Sequence, residues 1–196
     1  MPPPLDPLVC AGFVVLAFVP AGLAHSLWLR GAWSAPWRVP IDGGGTWRGA
    51  PIFGENKTWA GFVVLPLACG FAFAVLRWAT NRLSEGWGES LWPLSVGGYA
   101  LLGAWTGLGF MAGELPNSFV KRQLGVAAGA APAGRLARAL GFLIDRIDSI
   151  VGAFVAQAVV VPVGFRYAVY LLLVGPGLHW MFSALLHYLG VKGRRS

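Results

Sequence analysis

Five long stretches of this chain carry no Asp, Glu, Lys or Arg: residues 7–29, 59–76, 91–113, 149–165 and 167–191. Each approaches or exceeds the roughly 17–25 apolar residues that cross a bilayer as a helix. The pattern predicts helices over 7–29, 59–78, 91–113, 148–165 and 167–191. The fourth is the shortest, and the fifth contains Gly175-Pro176-Gly177, where a kink is expected. These stretches leave no room for a separate soluble domain. The expected fold is therefore a single all-α integral membrane domain, residues 1–196, with about five transmembrane helices and two polar cytoplasmic loops. Composition agrees: 56% of residues are hydrophobic and 12% charged, against about 25% charged in soluble domains. The opening MPPPLDPL has Asp6 but no basic residue, and the apolar run after it outlasts a signal-peptide core. The first stretch is therefore read as a retained helix.

Charge gives the chain a direction. Arg30, Arg38, Arg48 and Lys57 lie between the first two stretches, and Lys121, Arg122, Arg135, Arg138 and Arg146 between the third and fourth. Lys192, Arg194 and Arg195 end the chain, while only Arg77, Arg82 and Arg166 fall on the other side. Cytoplasmic loops collect Lys and Arg, so a multi-pass protein of the cell membrane is expected, with its N-terminus outside. The first and third loops and the tail then face the cytoplasm. Trp28, Trp59, Trp78 and Trp92 sit at span ends as an aromatic belt. Cys10 and Cys69 lie inside spans without metal-ligand spacing and read as small apolar residues. His25, His179 and His187 are scattered and read as packing or interface residues.

The concentrated polar chemistry falls on that same cytoplasmic side. GELPNSFVKRQLG, 113–125, follows the third span. Its Glu114 lies at a membrane boundary, and Ser118, Lys121 and Arg122 share one helical face or its edge. Pro116 can open a helix with Asn117 or Ser118 in its first turn, and a helix N-terminus beside Lys and Arg suits phosphate. The plainer reading of Lys121-Arg122 is a positive stop signal. DRIDS, 145–149, puts Asp145 and Asp148 one turn apart at the mouth of the fourth span, where a simple helix cap flanked by a snorkelling Arg146 would also fit. Carboxylates cost roughly 2.5–3.5 kcal/mol each at the centre of a membrane helix. Yet Glu114, Asp145 and Asp148, three of eight acidic residues, converge on these mouths. Hard oxygens from two neighbouring helices suit Mg²⁺, with phosphate oxygens and water completing its shell. The first loop, 41–61, is Gly-rich and ends in Asn56, Lys57 and Thr58. It is no Walker P-loop, and a flexible interfacial loop is its plainer reading. Arg135 and Arg138, interleaved with Leu136, Leu140 and Leu143, fit either a basic amphipathic helix on anionic headgroups or a simple connection.

GELPNSFVKRQLG followed by DRIDSIVGA resembles the membrane CTP:lipid-phosphate cytidylyltransferases. Ser118, Lys121-Arg122 and Asp145-Arg146-Ile147-Asp148-Ser149 match the phosphatidate cytidylyltransferase branch, but its Lys-Asp pair and P-G-H-G-G stretch are missing. Phe53-Gly54-Glu55-Asn56-Lys57-Thr58-Trp59-Ala60-Gly61 resembles the F-G-x-x-K-T-x-x-G loop of the shorter CDP-archaeol synthase branch, built on five helices. The second branch is the better match. That family commonly has Asp where this chain has Glu114. The resemblance implies attack of a lipid phosphate on the α-phosphorus of CTP, giving a CDP-lipid and pyrophosphate. It implies Mg²⁺ on Asp145 and Asp148, with Glu114 as third ligand or neighbour, and phosphates on Lys121 and Arg122. Asn56, Lys57, Thr58, Asn117, Ser118 and Arg146 would contact substrate. The expected partners are CTP, a membrane lipid phosphate and the bilayer, with no nucleic acid and a homo-oligomer left open. The rival is a non-catalytic polytopic protein, a transporter subunit or lipid-binding scaffold, in which Asp145 and Asp148 are dispensable.

Overall fold

The computed structural model describes residues 5–83 and 87–188. Five long helices dominate it: α1 (Pro7–Arg30), α2 (Trp59–Leu83), α3 (Val96–Gln123), α4 (Arg135–Val160) and α5 (Phe165–Tyr188). α1 starts where the Asp6 carboxylate accepts the N–H groups of Leu8 and Val9, at 2.8 and 3.3 Å, with Pro7 in the first turn. Ser95 caps α3 in the same way, accepting the Gly98 N–H at 3.1 Å. A 3-10 turn (Ala32–Trp37) follows α1, and a two-stranded hairpin, β1 (Thr46–Trp47) and β2 (Ala50–Pro51), rises before α2. Each long helix packs on the next and α5 returns to α1, so the five close a ring.

α3 is packed on both sides through glycines one turn apart. A Cβ placed on Gly103 would stand 2.6 Å from the Cys69 carbonyl oxygen, and one on Gly107 would stand 2.9 Å from the Pro66 Cα. The opposite flank carries Gly109 and Gly113 against Gly152 of α4, where a Cβ on Gly152 would stand 2.2 Å from the Gly109 carbonyl oxygen. Small residues at this spacing let helix backbones touch where lipid gives no hydrophobic drive for association. Elsewhere the interior is aromatic: Phe13 meets Phe73 and Tyr99 edge-on, with ring centroids 5.4 and 4.9 Å away. Several polar groups are paired across helices. Gln157 accepts from the Tyr167 hydroxyl and donates to Thr106 Oγ1 at 3.1 Å, joining α5, α4 and α3. The indoles of Trp105 and Trp92 donate to the carbonyls of Ala156 and Pro162, at 2.7 and 2.9 Å.

The protein is an all-α membrane protein, and α1, α2 over Trp59–Arg82 and α5 over Phe165–Leu185 are long and apolar enough to cross a bilayer. Several boundaries differ from the sequence expectation. α3 starts at Val96 instead of residue 91 and runs unbroken through Pro116 to Gln123. No helix begins at Pro116, so the expected anion-binding N-terminus is not there. Proline is tolerated inside helices of membrane proteins because neighbouring groups satisfy the backbone it frees, and α1, α2 and α5 also contain one each. α4 starts at Arg135, not near residue 148, so Arg135–Ile144 forms its first turns and Asp145 and Asp148 stand in mid-helix rather than at a cap. Lys192, Arg194 and Arg195 lie outside the described residues.

Candidate active site

The site follows from helical periodicity and the glycine crossing together. Glu114, Asn117 and Lys121 recur every three to four residues along α3, and Asp148 and Ser149 follow Asp145 by three and four residues along α4. Gly113 and Gly152 hold the two helices in backbone contact one turn away, so these faces meet. The Asn117 side-chain amide donates to Asp145 Oδ1 at 2.6 Å and to Asp148 Oδ2 at 2.9 Å. An amide nitrogen carries two hydrogens, one for each carboxylate. Lys121 pairs with the same Oδ1 of Asp145. The other oxygen of Asp148 accepts the Ser149 backbone N–H at 2.6 Å. Glu114 stands beside this pair: its Oε2 is ion-paired with Lys57, and its Oε1 accepts the Ser149 hydroxyl at 2.8 Å. Asp145 is the more open end, its side chain 37% exposed against 17% for Glu114.

Residues 39–58 fold over the end of α3 as a closed loop. The Trp59 N–H donates to the Val39 carbonyl at 3.0 Å and the Ile41 N–H to the Lys57 carbonyl at 2.8 Å, pinching its ends together. Asp42 ties its middle. One carboxylate oxygen accepts the Gly44 N–H at 3.0 Å, the other those of Phe53 and Gly54 at 2.8 and 3.4 Å. Partial burial works to raise the pKa of Asp42, but these N–H groups outweigh it and hold the carboxyl below its ordinary value. Arg48 and Gly49, both at positive φ, turn the hairpin, and the Gln123 amide donates to the Pro51 carbonyl at 3.2 Å. Gly54, at φ +85°, lies against the buried Arg122, where a Cβ would stand 3.2 Å from a guanidinium nitrogen.

Asn117, Lys121, Asp145, Asp148, Glu114 and Lys57 thus form one connected cluster, and Arg122 packs under the first loop. Asn56 neighbours Gly129 of the following segment, and the Thr58 carbonyl accepts the N–H of Gly61 at 3.1 Å as α2 begins. Ser118 is half-buried beside Asn117. The Arg146 guanidinium donates to the Phe142 carbonyl at 2.7 Å and lies 3.1 Å from the Phe142 ring centroid. Among the described residues no three His, Cys, Asp or Glu side chains gather as a metal-binding group. The two carboxylates that converge on Asn117 nevertheless offer the hard-oxygen pair a divalent ion of the Mg²⁺ type takes, the rest of whose shell is phosphate and water. Sequence reasoning gave no role to Asp42 or Gly152, and none to Ser149 although it closes the DRIDS motif. Asp-Gly-Gly at 42–44 is a turn signal, and Gly109 and Gly113 have the spacing of a close-packed helix pair, so two of these were discoverable.

Paired carboxylates beside Lys121 and Lys57 at the α3–α4 crossing are an arrangement suited to a divalent ion and phosphate groups. The family model for CDP-archaeol synthase matches residues 36–194. A CDP-archaeol synthase of Halorubrum lacusprofundi is 34% identical over 161 residues, covering 78% of this chain and 81% of the relative. One from Methanococcus aeolicus is 29% identical over 155 residues, covering 79% and 81%, and one from Pyrococcus abyssi 34% over 150, covering 76% and 79%. No solved structure matches the chain. The chain belongs to the CDP-archaeol synthase family. With that family it is an enzyme, a CTP-dependent cytidylyltransferase of lipid biosynthesis.

Proposed function

We propose that this enzyme transfers CMP from CTP to a membrane lipid phosphate, giving a CDP-lipid of the CDP-archaeol or CDP-diacylglycerol type and pyrophosphate, with Mg²⁺ as its metal. The observation that carries the reading is the convergence of Asp145 Oδ1 and Asp148 Oδ2 on one nitrogen of Asn117, at 2.6 and 2.9 Å. Asp145 and Asp148 would hold the ion, which when bound screens the triphosphate and polarises the α-phosphate. Lys121, Arg122 and Lys57 bind phosphate oxygens, Arg122 through its planar fork. Asn56 and Thr58, on either side of Lys57, contact the nucleotide or the lipid phosphate, and Ser118 borders the same face. A lipid phosphate oxygen attacks the α-phosphorus. The new P–O bond forms as the bond to the bridging oxygen breaks, and pyrophosphate leaves with that electron pair. No side chain has to become a covalent nucleophile, because the lipid phosphate already is one.

All five helices cross the membrane in this reading, with the N-terminus outside and the site facing the cytoplasm. Support comes from the first loop, whose Arg38, Arg48 and Lys57 lie at the same end of the bundle as Lys121 and Arg122. The test is purified protein with α-labelled CTP, Mg²⁺ and a panel of dialkyl and diacyl lipid phosphates. One CDP-lipid and one pyrophosphate per CTP consumed are expected. CTP hydrolysis to CMP with every lipid phosphate would overturn the reading.

A further inference from the structure

Glu114 is bonded on two sides to segments far from it in the chain. Its Oε2 holds Lys57 of the first loop, and its Oε1 accepts the Ser149 hydroxyl of α4 at 2.8 Å. Ser149 is fully buried, and the Lys57 and Glu114 side chains are each 17% exposed. A hydroxyl has one hydrogen to give. The Ser149 hydroxyl lies closer to Glu114 than to Asp148 Oδ1, which is 3.1 Å away and already receives the Ser149 backbone N–H at 2.6 Å.

The anchor point is rigid. Glu114 follows Gly113, where a Cβ would stand 2.4 Å from the Asp148 carbonyl oxygen, so the α3 backbone cannot shift without moving α4. Among the described residues the loop also reaches α3 through an exposed Gln123 contact with Pro51 and through Gly54 packed on Arg122. Lys57 is also the residue whose carbonyl closes the loop by accepting the Ile41 N–H. Holding its ammonium therefore fixes the stretch from Gly54 to Thr58 that carries Asn56 and Lys57.

We infer that Glu114 is a positioning residue, a latch that fastens the first loop, through Lys57, to the α3–α4 crossing, where Ser149 of α4 holds its other oxygen. The latch is a property of the fold, while its effect on nucleotide use rests on the function proposed above. It works because the pair is mostly buried, and removing one partner leaves the other charge uncompensated.

Hydrogen exchange of the wild-type protein and of Glu114→Gln, Ser149→Ala, Lys57→Met and the Lys57→Met/Glu114→Gln double variant, in nanodiscs, tests it. Glu114→Gln should speed exchange of the Ile41, Gly54 and Trp59 amides about tenfold, and Ser149→Ala should do so to a lesser degree. The double variant should exchange no faster than either single one, because each breaks the same tie. With CTP and Mg²⁺, Glu114→Gln should raise KM for CTP about tenfold, change kcat less than threefold and leave the Mg²⁺ concentration for half-maximal rate unchanged. Wild-type exchange in Glu114→Gln, additive effects in the double variant, or a raised Mg²⁺ requirement would each overturn the latch. Exchange needs no turnover, so a wild-type protein that forms no CDP-lipid would sink the functional reading and leave the latch to be judged on its own.

Discussion

Gly113 of α3 and Gly152 of α4 meet backbone to backbone: a Cβ on Gly113 would stand 2.8 Å from the Gly152 Cα. One residue further along α3, Glu114 takes the Ser149 hydroxyl, so the crossing that packs the bundle also sets the spacing of the site. Gly152→Ala should force the helices apart, since its Cβ would lie 2.2 Å from the Gly109 carbonyl oxygen. Overpacking of this kind costs about 1–3 kcal/mol. A lower Tm in detergent and a loss of turnover are expected together, although no polar residue has changed. Gly12→Ala, with nothing within 4 Å of the added carbon, should leave both as they are.

Asp145→Asn and Asp148→Asn should each cut turnover by about a hundredfold or more, the scale on which metal sites respond to lost ligand charge. Each replaces a carboxylate that accepts from Asn117 with an amide of similar shape. Steady-state rates with circular dichroism on the same samples check this. Near-normal turnover in either folded variant would remove the carboxylates from the proposed chemistry.

Asp42 gives the first loop a dependence on pH with a definite sign. Its folded pKa lies below the ordinary carboxylate value because the N–H groups of Phe53, Gly44 and Gly54 favour the charged form over the opposing effect of burial. A group lowered on folding contributes stability that is complete above its unfolded pKa, about 3.9 for Asp. That contribution is lost as pH falls from there through the folded value. Exchange protection of the Phe53 amide should therefore hold flat between about pH 5 and 7 and collapse only in acid below the usual carboxylate range. In Asp42→Ala the Phe53 amide should be less protected throughout and show no such step.

The apolar stretches were enough to locate the helices, because a lipid-facing segment needs nothing subtler than length without charge. They were a poor guide to where helices end. Arg135 and Arg138 suggested a segment separate from the fourth span, yet α4 runs unbroken from Arg135 to Val160 and takes both into its first turns. Pro116 suggested a helix start by a rule drawn from soluble proteins and fell instead inside α3. The site residues on one helix face were legible from spacing alone, as with Asp145 and Asp148. What pairs with what was not: the Lys57–Glu114 ion pair joins positions 57 residues apart, and no local pattern encodes it.

The buried thiols make the topology measurable. Cys10 and Cys69 are 2% and 0% exposed, so an introduced cysteine would be labelled over a low background. Thr46 in the hairpin and Glu89 between α2 and α3 are both exposed. With the N-terminus outside, Glu89→Cys should react with a membrane-impermeant maleimide on intact cells, and Thr46→Cys only after permeabilisation. The reverse pattern would turn the protein over and put the proposed site on the wrong side for cytoplasmic CTP.

Nucleotide and metal should stabilise the fold jointly. Lys121 and Asn117 now share the charge of Asp145 and Asp148, and a cation bound there would take over part of that work. Phosphate oxygens complete the shell of an ion held by two carboxylates, so each ligand is expected to strengthen binding of the other. Anything that binds only the folded state raises its apparent stability, by about 2.7 kcal/mol at a hundredfold excess over Kd. CTP with Mg²⁺ should therefore raise the Tm of detergent-solubilised protein by more than the separate effects of CTP and of Mg²⁺ added together. Asp148→Asn should remove the excess while keeping the small response to CTP alone, because the cations Lys121, Arg122 and Lys57 are untouched. A basic surface that merely collects polyanions would behave otherwise, responding to CTP, pyrophosphate and sulfate alike, with or without Mg²⁺, and equally in Asp148→Asn. That outcome would leave the carboxylate pair without its assigned work.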